Sequence, residues 1–409
     1  MASFYIPVTG LESDTTALNT IANDLANLNT TGFKNQTANF ADIFYDSIGI
    51  NGADNLLQVG SGDKISSIEQ NFAAGTPTET GNASDVALTG NGFFVINNGG
   101  EQLYTRDGNF TVASNGDLLT NSGLQVMGYP ATNGVVNTNA PLTGINIPSD
   151  GVQQAQATSS FGFTANLNSS DAVNATETSQ IQLYDSLGAK QEVTITYTKT
   201  GNNTWNYSIA LPAGASTGAT GNTGTLTFDS NGNLTAPAAD VAGISFTGMS
   251  DGASNMNLTW NVLGSAGTPT ITQTDEATAT SATTQNGYPA GTYQGYTIDA
   301  DGTVVVNFSN GNNQAVGQLA LANFVNLQGL QLDGSDEFAA TRSSGEASVG
   351  VSGTNGTGAM ESEYLEGSNV NISQEFSDLI IVQRAFEANS KAITTFDTVA
   401  QETINMIHS

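Results

Sequence analysis

Carboxylates are the only residues abundant enough to do acid–base chemistry. There are 37 Asp and Glu against 8 Lys and Arg, with one histidine, His408, and no cysteine in 409 residues. Two carboxylates flanking a glycosidic bond would serve as acid and base, and a chain this acidic contains such pairs by chance alone. No motif concentrates them, however. Most stand beside Gly, Asn or Ser in turn-like sequence, the usual place of solvated carboxylates. Without Cys there is no thiolate nucleophile, zinc–thiolate centre or disulfide. No enzyme is indicated, no catalytic or metal-ligating residue is assigned, and no cofactor is expected.

Two acidic stretches resemble the opening of a calcium loop, Asp229-Ser230-Asn231-Gly232-Asn233 and Asp299-Ala300-Asp301-Gly302. A calcium-binding loop needs Gly at its sixth position and a bidentate acid at its twelfth, which counting from Asp229 fall on Leu234 and Asp240. Asn-Gly between alternating apolar residues is a hairpin signal, so turns are expected instead. Gly90-Asn91-Gly92 lacks the third glycine and the following helix of a phosphate loop, and reads as a bend.

The formal net charge of -29 leaves too few cations for a phosphate-binding patch, which argues against nucleic acid and anionic membrane as partners. No run of apolar residues is long enough to span a bilayer, so no membrane insertion is expected. Residues 1–20 lack both a basic n-region and an apolar h-region, so an ordinary cleavable signal is not expected either.

The elements that would position any site fall into two kinds. Near the N-terminus Phe4, Leu11, Leu18 and Leu25 recur every seven residues, joined by Ile21 and Leu28, and predict a helix over about 8–29 with one apolar seam. Near the C-terminus Ile372, Leu379, Phe386, Ile393, Ala400 and Ile407 keep the same spacing, flanked by Phe376, Val382, Phe396 and Val399. With no Gly or Pro over 368–409, one long helix is expected, capped by Asn369 or Asn371. Each seam could pack on a globular core of its own. Segment 47–64 sets the first seam apart as a linker, so a coiled pair of the two ends, alone or bundled with other copies, is expected.

Between the ends the period changes to two. Leu88, Phe94, Ile96, Tyr104, Phe110, Val112 and Leu118 lie in short runs broken by Gly90, Gly92, Gly99-Gly100, Asp107-Gly108 and Asn115-Gly116. Val193, Ile195 and Tyr197 face Trp205, Tyr207 and Ile209 across Gly201-Asn202-Asn203, a hairpin. The stretches 132–160 and 263–293, poor in large apolar residues, read as crossings between domains. The expected fold is mainly β with terminal α-helices in a nested order. A helical domain is formed by 1–70 and 360–409, a discontinuous inner β domain by 71–144 and 286–359, and an inserted outer β domain by 145–285.

Several segments are similar to one family. Asn23-Asp-Leu-Ala-Asn-Leu-Asn-Thr-Thr-Gly-Phe-Lys34 resembles the Asn-Asn-Ile-Ala-Asn-x-Asn-Thr-x-Gly-Phe-Lys signature of bacterial flagellar rod and hook axial proteins, through Asn23, Asn27, Asn29, Thr30, Gly32, Phe33 and Lys34. The segment around Gly90, Gly92, Phe93, Phe94, Tyr104, Arg106 and Gly108 resembles their inner β domain. Segments 317–323, 328–330 and 338–341 resemble its returning half, and 366–395, with Gln383, Arg384 and Asn389, its C-terminal helix. The departures are small: Asp24 stands for the usual second Asn, and Pro7 lies at the helix start, where its missing N–H is tolerated.

The resemblance implies a structural subunit. The inserted domain favours the hook member over the shorter distal rod subunit, and the paired seams disfavour a secreted β-rich adhesin. It further implies a flexible tube of many copies, a universal joint passing torque from rod to filament. Its neighbours would be a distal rod protein at the proximal end and a hook–filament junction protein at the distal end, with a hook cap protein and the flagellar type III export apparatus acting during assembly. The seam residues would be buried between copies, with helix ordering coupled to assembly.

Overall fold

A computed structural model describes residues 4–50, 56–264 and 267–408. The chain forms two compact units, one of 1–149, 296–306 and 314–409, the other of Asp150–Gly295 and Asn307–Asn313. The inserted unit thus runs from 150 rather than 145 and takes in a short returning segment.

In the first unit two helices, α1 (Tyr5–Ala26) and α2 (Ile372–His408), frame a β domain. Pro7 sits within the first turn of α1, where no internal hydrogen bond is lost. The helix starts three residues earlier than expected and ends at Ala26, with the Asn27 N–H bonded to the carbonyls of Asn23 and Asp24. Leu28 therefore lies in the turn beyond α1 and does not extend its seam. Asn371 caps α2, its Oδ1 accepting from the N–H groups of Ser373 (3.0 Å) and Gln374 (3.3 Å).

Segment 47–64 is not a linker. Asp46–Ile50 pairs with Leu56–Val59, and Asp63–Gln70 pairs antiparallel with Gln36–Asp42. Gly60 and Gly62 lie between the two ladders, and Asp63 opens the second.

The β domain is closed by strands distant in sequence. Val86–Thr89 pairs with Ala359–Ser362, Phe93–Phe94 with Leu321–Ala322, Gly128–Pro130 with Gly317–Leu319, and Leu103–Thr105 with Glu337–Ala339. Aromatic residues from both halves share one core: Phe93 meets Phe338 at 5.4 Å, and Tyr104 meets Phe324 edge-on at 4.8 Å.

The second unit is all β. One sheet takes the hairpin Lys190–Gly201 and Thr204–Ala210, whose inward Val193, Ile195, Tyr197, Trp205 and Ile209 are fully buried. The other is built on Ser160–Asn168, which runs parallel to Met256–Asn261 and Ile271–Thr274 and antiparallel to Ala279–Gln285. Trp260 packs on Tyr207 at 5.0 Å, and Trp205 donates its indole N–H to Gln273 (2.9 Å), so residues of both sheets meet in one core. The expected crossing 263–293 thus supplies two strands and the start of a third, Gly291–Ile298. Small Thr, Ser and Ala side chains suit Ala279–Gln285 because every residue on it is exposed.

Candidate assembly surface

The two helices run antiparallel against each other. Phe4 stacks near Phe396 (5.8 Å), Asp14 Oδ2 accepts from Asn389 Nδ2 (2.9 Å), and a Cβ on Gly10 would lie 2.5 Å from that nitrogen. Gly10 is what allows the helices to approach so closely there.

The face that α1 buries differs from the predicted seam. Its buried residues are Pro7, Thr9, Gly10, Ser13, Asp14, Ala17, Thr20, Ile21 and Asp24, small and polar apart from Ile21. Leu11, Leu18 and Leu25 flank this face and are only half-buried, and Leu28 is half-buried in the turn. On α2, Leu379, Val382 and Ile393 are half-buried, while Ile372, Phe376, Phe386 and Phe396 are exposed, together with Ile380, Ile381, Val399 and Ile404. The side chain of Ile407 lies outside the described residues. A single chain therefore pairs its terminal helices yet leaves much of their apolar surface in water. The same holds in the hairpin region, where Phe44 is 91% exposed and Tyr45, Leu56, Leu57 and Val59 are exposed as well. Sequence reading missed this second apolar surface because its residues do not recur with one period.

The signature residues meet at a different place. Gly32 has φ 71°, and a Cβ there would fall 2.7 Å from the Asp107 nitrogen, so the turn after α1 needs glycine. Its N–H donates to the Glu366 carbonyl (2.8 Å), and Thr31 donates to Asp107 (2.8 Å). Phe33 and Lys34 are then directed inward and buried. Lys34 Nζ reaches Glu366 Oε1 at 2.5 Å and the Ala73 carbonyl at 3.0 Å. Arg106 donates to Glu366 Oε2 (3.1 Å) and to the carbonyls of Leu88 (3.3 Å) and Gly90 (2.5 Å), with its guanidinium 5.5 Å over the Phe93 ring. Burial lowers the pKa of both cations, opposed in each case by the Glu366 carboxylate. Glu366, which sequence reading did not assign, thus ties the turn after α1, the β domain and the segment before α2 together.

The remaining signature residues are structural neighbours or surface groups. Gly108 passes so close to Val86 that a Cβ would lie 1.7 Å from its carbonyl oxygen. Gly90 and Gly92 have φ of 100° and 120°, confirming a bend. Phe94 packs edge-on against Phe110 at 5.1 Å, and Tyr104 is buried. Asn27 donates to the Asn23 carbonyl (3.0 Å) and accepts from Thr30 (3.0 Å). Asn29, Gln383 and Arg384 are exposed, and Asn389 is the partner of Asp14.

The two calcium-like stretches are turns. Asp229 accepts from the N–H groups of Asn231 and Asn233 (both 2.8 Å) and from Asn233 Nδ2 (3.1 Å), which lowers its pKa. Asp299 and Thr303 close the second turn (2.9 Å). Among the described residues no group of three or more His, Cys, Asp or Glu is arranged to hold a metal, and no helix is long and apolar enough to cross a membrane.

Four family models match the chain: flagella basal body rod protein over 4–34, flagellar hook protein FlgE/F/G D1 domain over 87–160, flagellar basal body protein FlaE D2 domain over 146–288, and flagellar basal body rod FlgEFG protein C-terminal over 361–406. The flagellar hook protein FlgE of Escherichia coli K12 is 36% identical over 421 residues, spanning 99% of this chain and 100% of the relative. That of Salmonella typhimurium LT2 is 35% identical over 420 residues, with 99% and 100% coverage. A crystal structure of Helicobacter pylori flagellar hook protein FlgE2 shares the fold with a TM-score of 0.56 at 15% identity, covering 71% of this chain and 100% of that one. The chain belongs to the bacterial flagellar rod and hook axial proteins, and among them to the flagellar hook protein family, FlgE.

Proposed function

We infer that this chain is the structural subunit of a bacterial flagellar hook, a self-assembling flexible tube that works as a universal joint between rod and filament. The observation that carries this reading is the terminal helix pair. It leaves Phe376, Ile380, Ile381 and Val399 exposed on α2 in a single chain. Exposed apolar side chains spaced along a helix in this way mark an interaction surface, and neighbouring copies of the same chain would cover it.

The finer assignments follow from this reading. The terminal helices are proposed to form the polymer core, the inner β domain its wall, and the inserted unit the outer layer. A distal rod protein would adjoin the proximal end and a hook–filament junction protein the distal end, while a cap protein and the flagellar type III apparatus would serve during assembly. The polar, Thr- and Asn-rich surface of the inserted unit suits sliding between neighbours as the tube bends, because interlocked apolar side chains would resist it.

The test is immunogold electron microscopy of detergent-extracted flagella, with an antibody against residues 160–250. Gold on the short curved segment between basal body and filament is expected. Gold on the straight rod would make this a rod subunit, and gold over the cell envelope would point to an adhesin.

A further inference from the structure

Where α1, residues 34–36 and the first turn of α2 come together, two carboxyl groups are buried without a compensating cation. Asp24 is 0% exposed; its Oδ2 accepts from the Gln36 N–H (2.9 Å), and its Oδ1 has no hydrogen-bond partner among the described residues. Glu375, 6% exposed, faces it from α2. The Asn35 side chain partly offsets the rise at Glu375, and its own Oδ1 is also unpartnered among the described residues.

The surrounding charges do not relieve the pair. On α2 the next acid is Asp378, which adds repulsion at Glu375. On α1 the other buried acid is Asp14, held by Asn389 and repelled by Asp63. The strand Gln36–Asp42 brings only uncharged Gln36 and Thr37 to this end, and the paired strand brings Glu69 opposite Thr37. Of the cations nearest along the chain, Lys34 is directed to Glu366 and the Ala73 carbonyl instead, and Arg384, about two and a half turns further along α2, is exposed. Asp24 also lies in the last turn of α1, where unpaired backbone carbonyls disfavour a further negative charge.

We propose that Asp24 and Glu375 form a proton-operated clasp between the terminal helices, closed when the pair holds a proton and loosened when both groups are ionised. Protonating Oδ1 of Asp24 removes the buried charge and sacrifices no hydrogen bond, because Oδ2 alone serves Gln36. Burial chiefly, with a smaller contribution from Glu375 and against the Gln36 N–H, raises the Asp24 pKa to about 6. Glu375 is raised as well, by burial and by Asp378. For acids raised in the folded state the stabilisation is complete below their ordinary pKa and is lost as pH rises through the folded value. The clasp therefore closes in mildly acidic solution and opens toward neutrality.

The test uses the full chain as dilute monomer. The sequence has no native cysteine, so Asn19→Cys and Gln383→Cys can be spin-labelled alone, and the distance between α1 and α2 read by pulsed electron resonance. A single narrow distance is expected at about pH 5, broadening toward pH 7.5, with its midpoint near the raised carboxyl value. Asp24→Asn, an isosteric change, is expected to keep the narrow distance at both pH values. Glu375→Gln is expected to move the midpoint down, since one repelling charge is gone. A wild-type distribution that does not change with pH, or an Asp24→Asn variant that retains the full response, would overturn the proposal.

Discussion

Lys34 Nζ and Glu366 Oε1 lie 2.5 Å apart with both side chains buried, although 332 residues separate them in the chain. The same carboxylate holds Arg106, so a single anion serves two buried cations. Replacing Glu366 by Gln would keep the shape and leave both cations without a counter-charge. Removing one partner of a buried pair typically costs about 3–5 kcal/mol. Glu366→Gln is expected to lower the unfolding free energy of the first unit by an amount in that range, seen as a fall in its urea midpoint, and to leave the transition of the inserted unit in place. Equal midpoints for variant and wild type would show that the knot contributes no stability.

Gly32 offers a backbone counterpart to that electrostatic test. Its positive φ and its approach to the Asp107 nitrogen leave no room for a side chain. Gly32→Ala should destabilise the first unit by about 1–3 kcal/mol, from backbone strain together with displacement of the Arg106–Asp107 segment. Thermal unfolding followed by circular dichroism checks this. Gly123→Ala is the control, since Gly123 also has a positive φ but nothing near its Cβ position. A loss at Gly32 no greater than at Gly123 would remove the close-approach argument.

How much of this was legible in the sequence depends on the range of the interaction. Period-two patterns located the hairpin of Val193, Ile195 and Tyr197 with Trp205, Tyr207 and Ile209, because alternation and a turn are local signals. The parallel pairing of Ser160–Asn168 was not legible, since its partners lie about a hundred residues away and parallel ladders leave no turn between them. The heptad at Leu11, Leu18 and Leu25 marked the helix correctly but not its buried face. Close packing around Gly10 brings Ser13, Asp14 and Ala17 inward, and an apolar-residue count cannot see a contact that small residues make. Glu366 opens the segment that resembles the family's C-terminal helix, but its role carries no local pattern. Only the fold puts it beside Lys34 and Arg106.

Asp336 should make the first unit sensitive to pH. Burial and the nearby Asp107 raise its pKa to about 6. The ionised form is therefore disfavoured in the folded state, and stability falls as pH rises from about 4 through 6. Asp336→Asn should stabilise the unit at pH 7.5 by about 1 kcal/mol, a figure discounted for the solvent that still reaches the half-buried group. Asn also tolerates the positive φ of this residue, so the informative quantity is the growth of the difference between about pH 4 and pH 7.5. A difference constant with pH would assign the whole effect to the backbone.

Flexibility of the tube should respond to the surface of the inserted unit. Thr178 and Thr283 are exposed on two different sheets. Changing both to Leu would let neighbouring subunits gain apolar contact, about 25 cal/mol for each Å² buried, and so hold them in one register. Isolated hooks carrying both changes should assemble normally and bend less in fluctuation analysis by electron microscopy. Unchanged compliance would mean that these faces do not slide past one another.

The two faces of α2 should separate folding from assembly. Phe376 is 52% exposed, whereas Leu379 is half-buried. An aspartate in place of Phe376 stays solvated in the single chain and meets an apolar environment only when another copy covers that face. Burying an unpaired carboxylate is costly enough to stop association outright. Phe376→Asp is therefore expected to fold with an unchanged circular dichroism spectrum yet fail to form tubes in a sedimentation assay. Leu379→Asp, by contrast, places the charge at a position already half-buried in the single chain and should lower the thermal midpoint of the monomer as well as block assembly. Normal tubes from Phe376→Asp would mean that the exposed apolar face of α2 is not where copies of this chain meet.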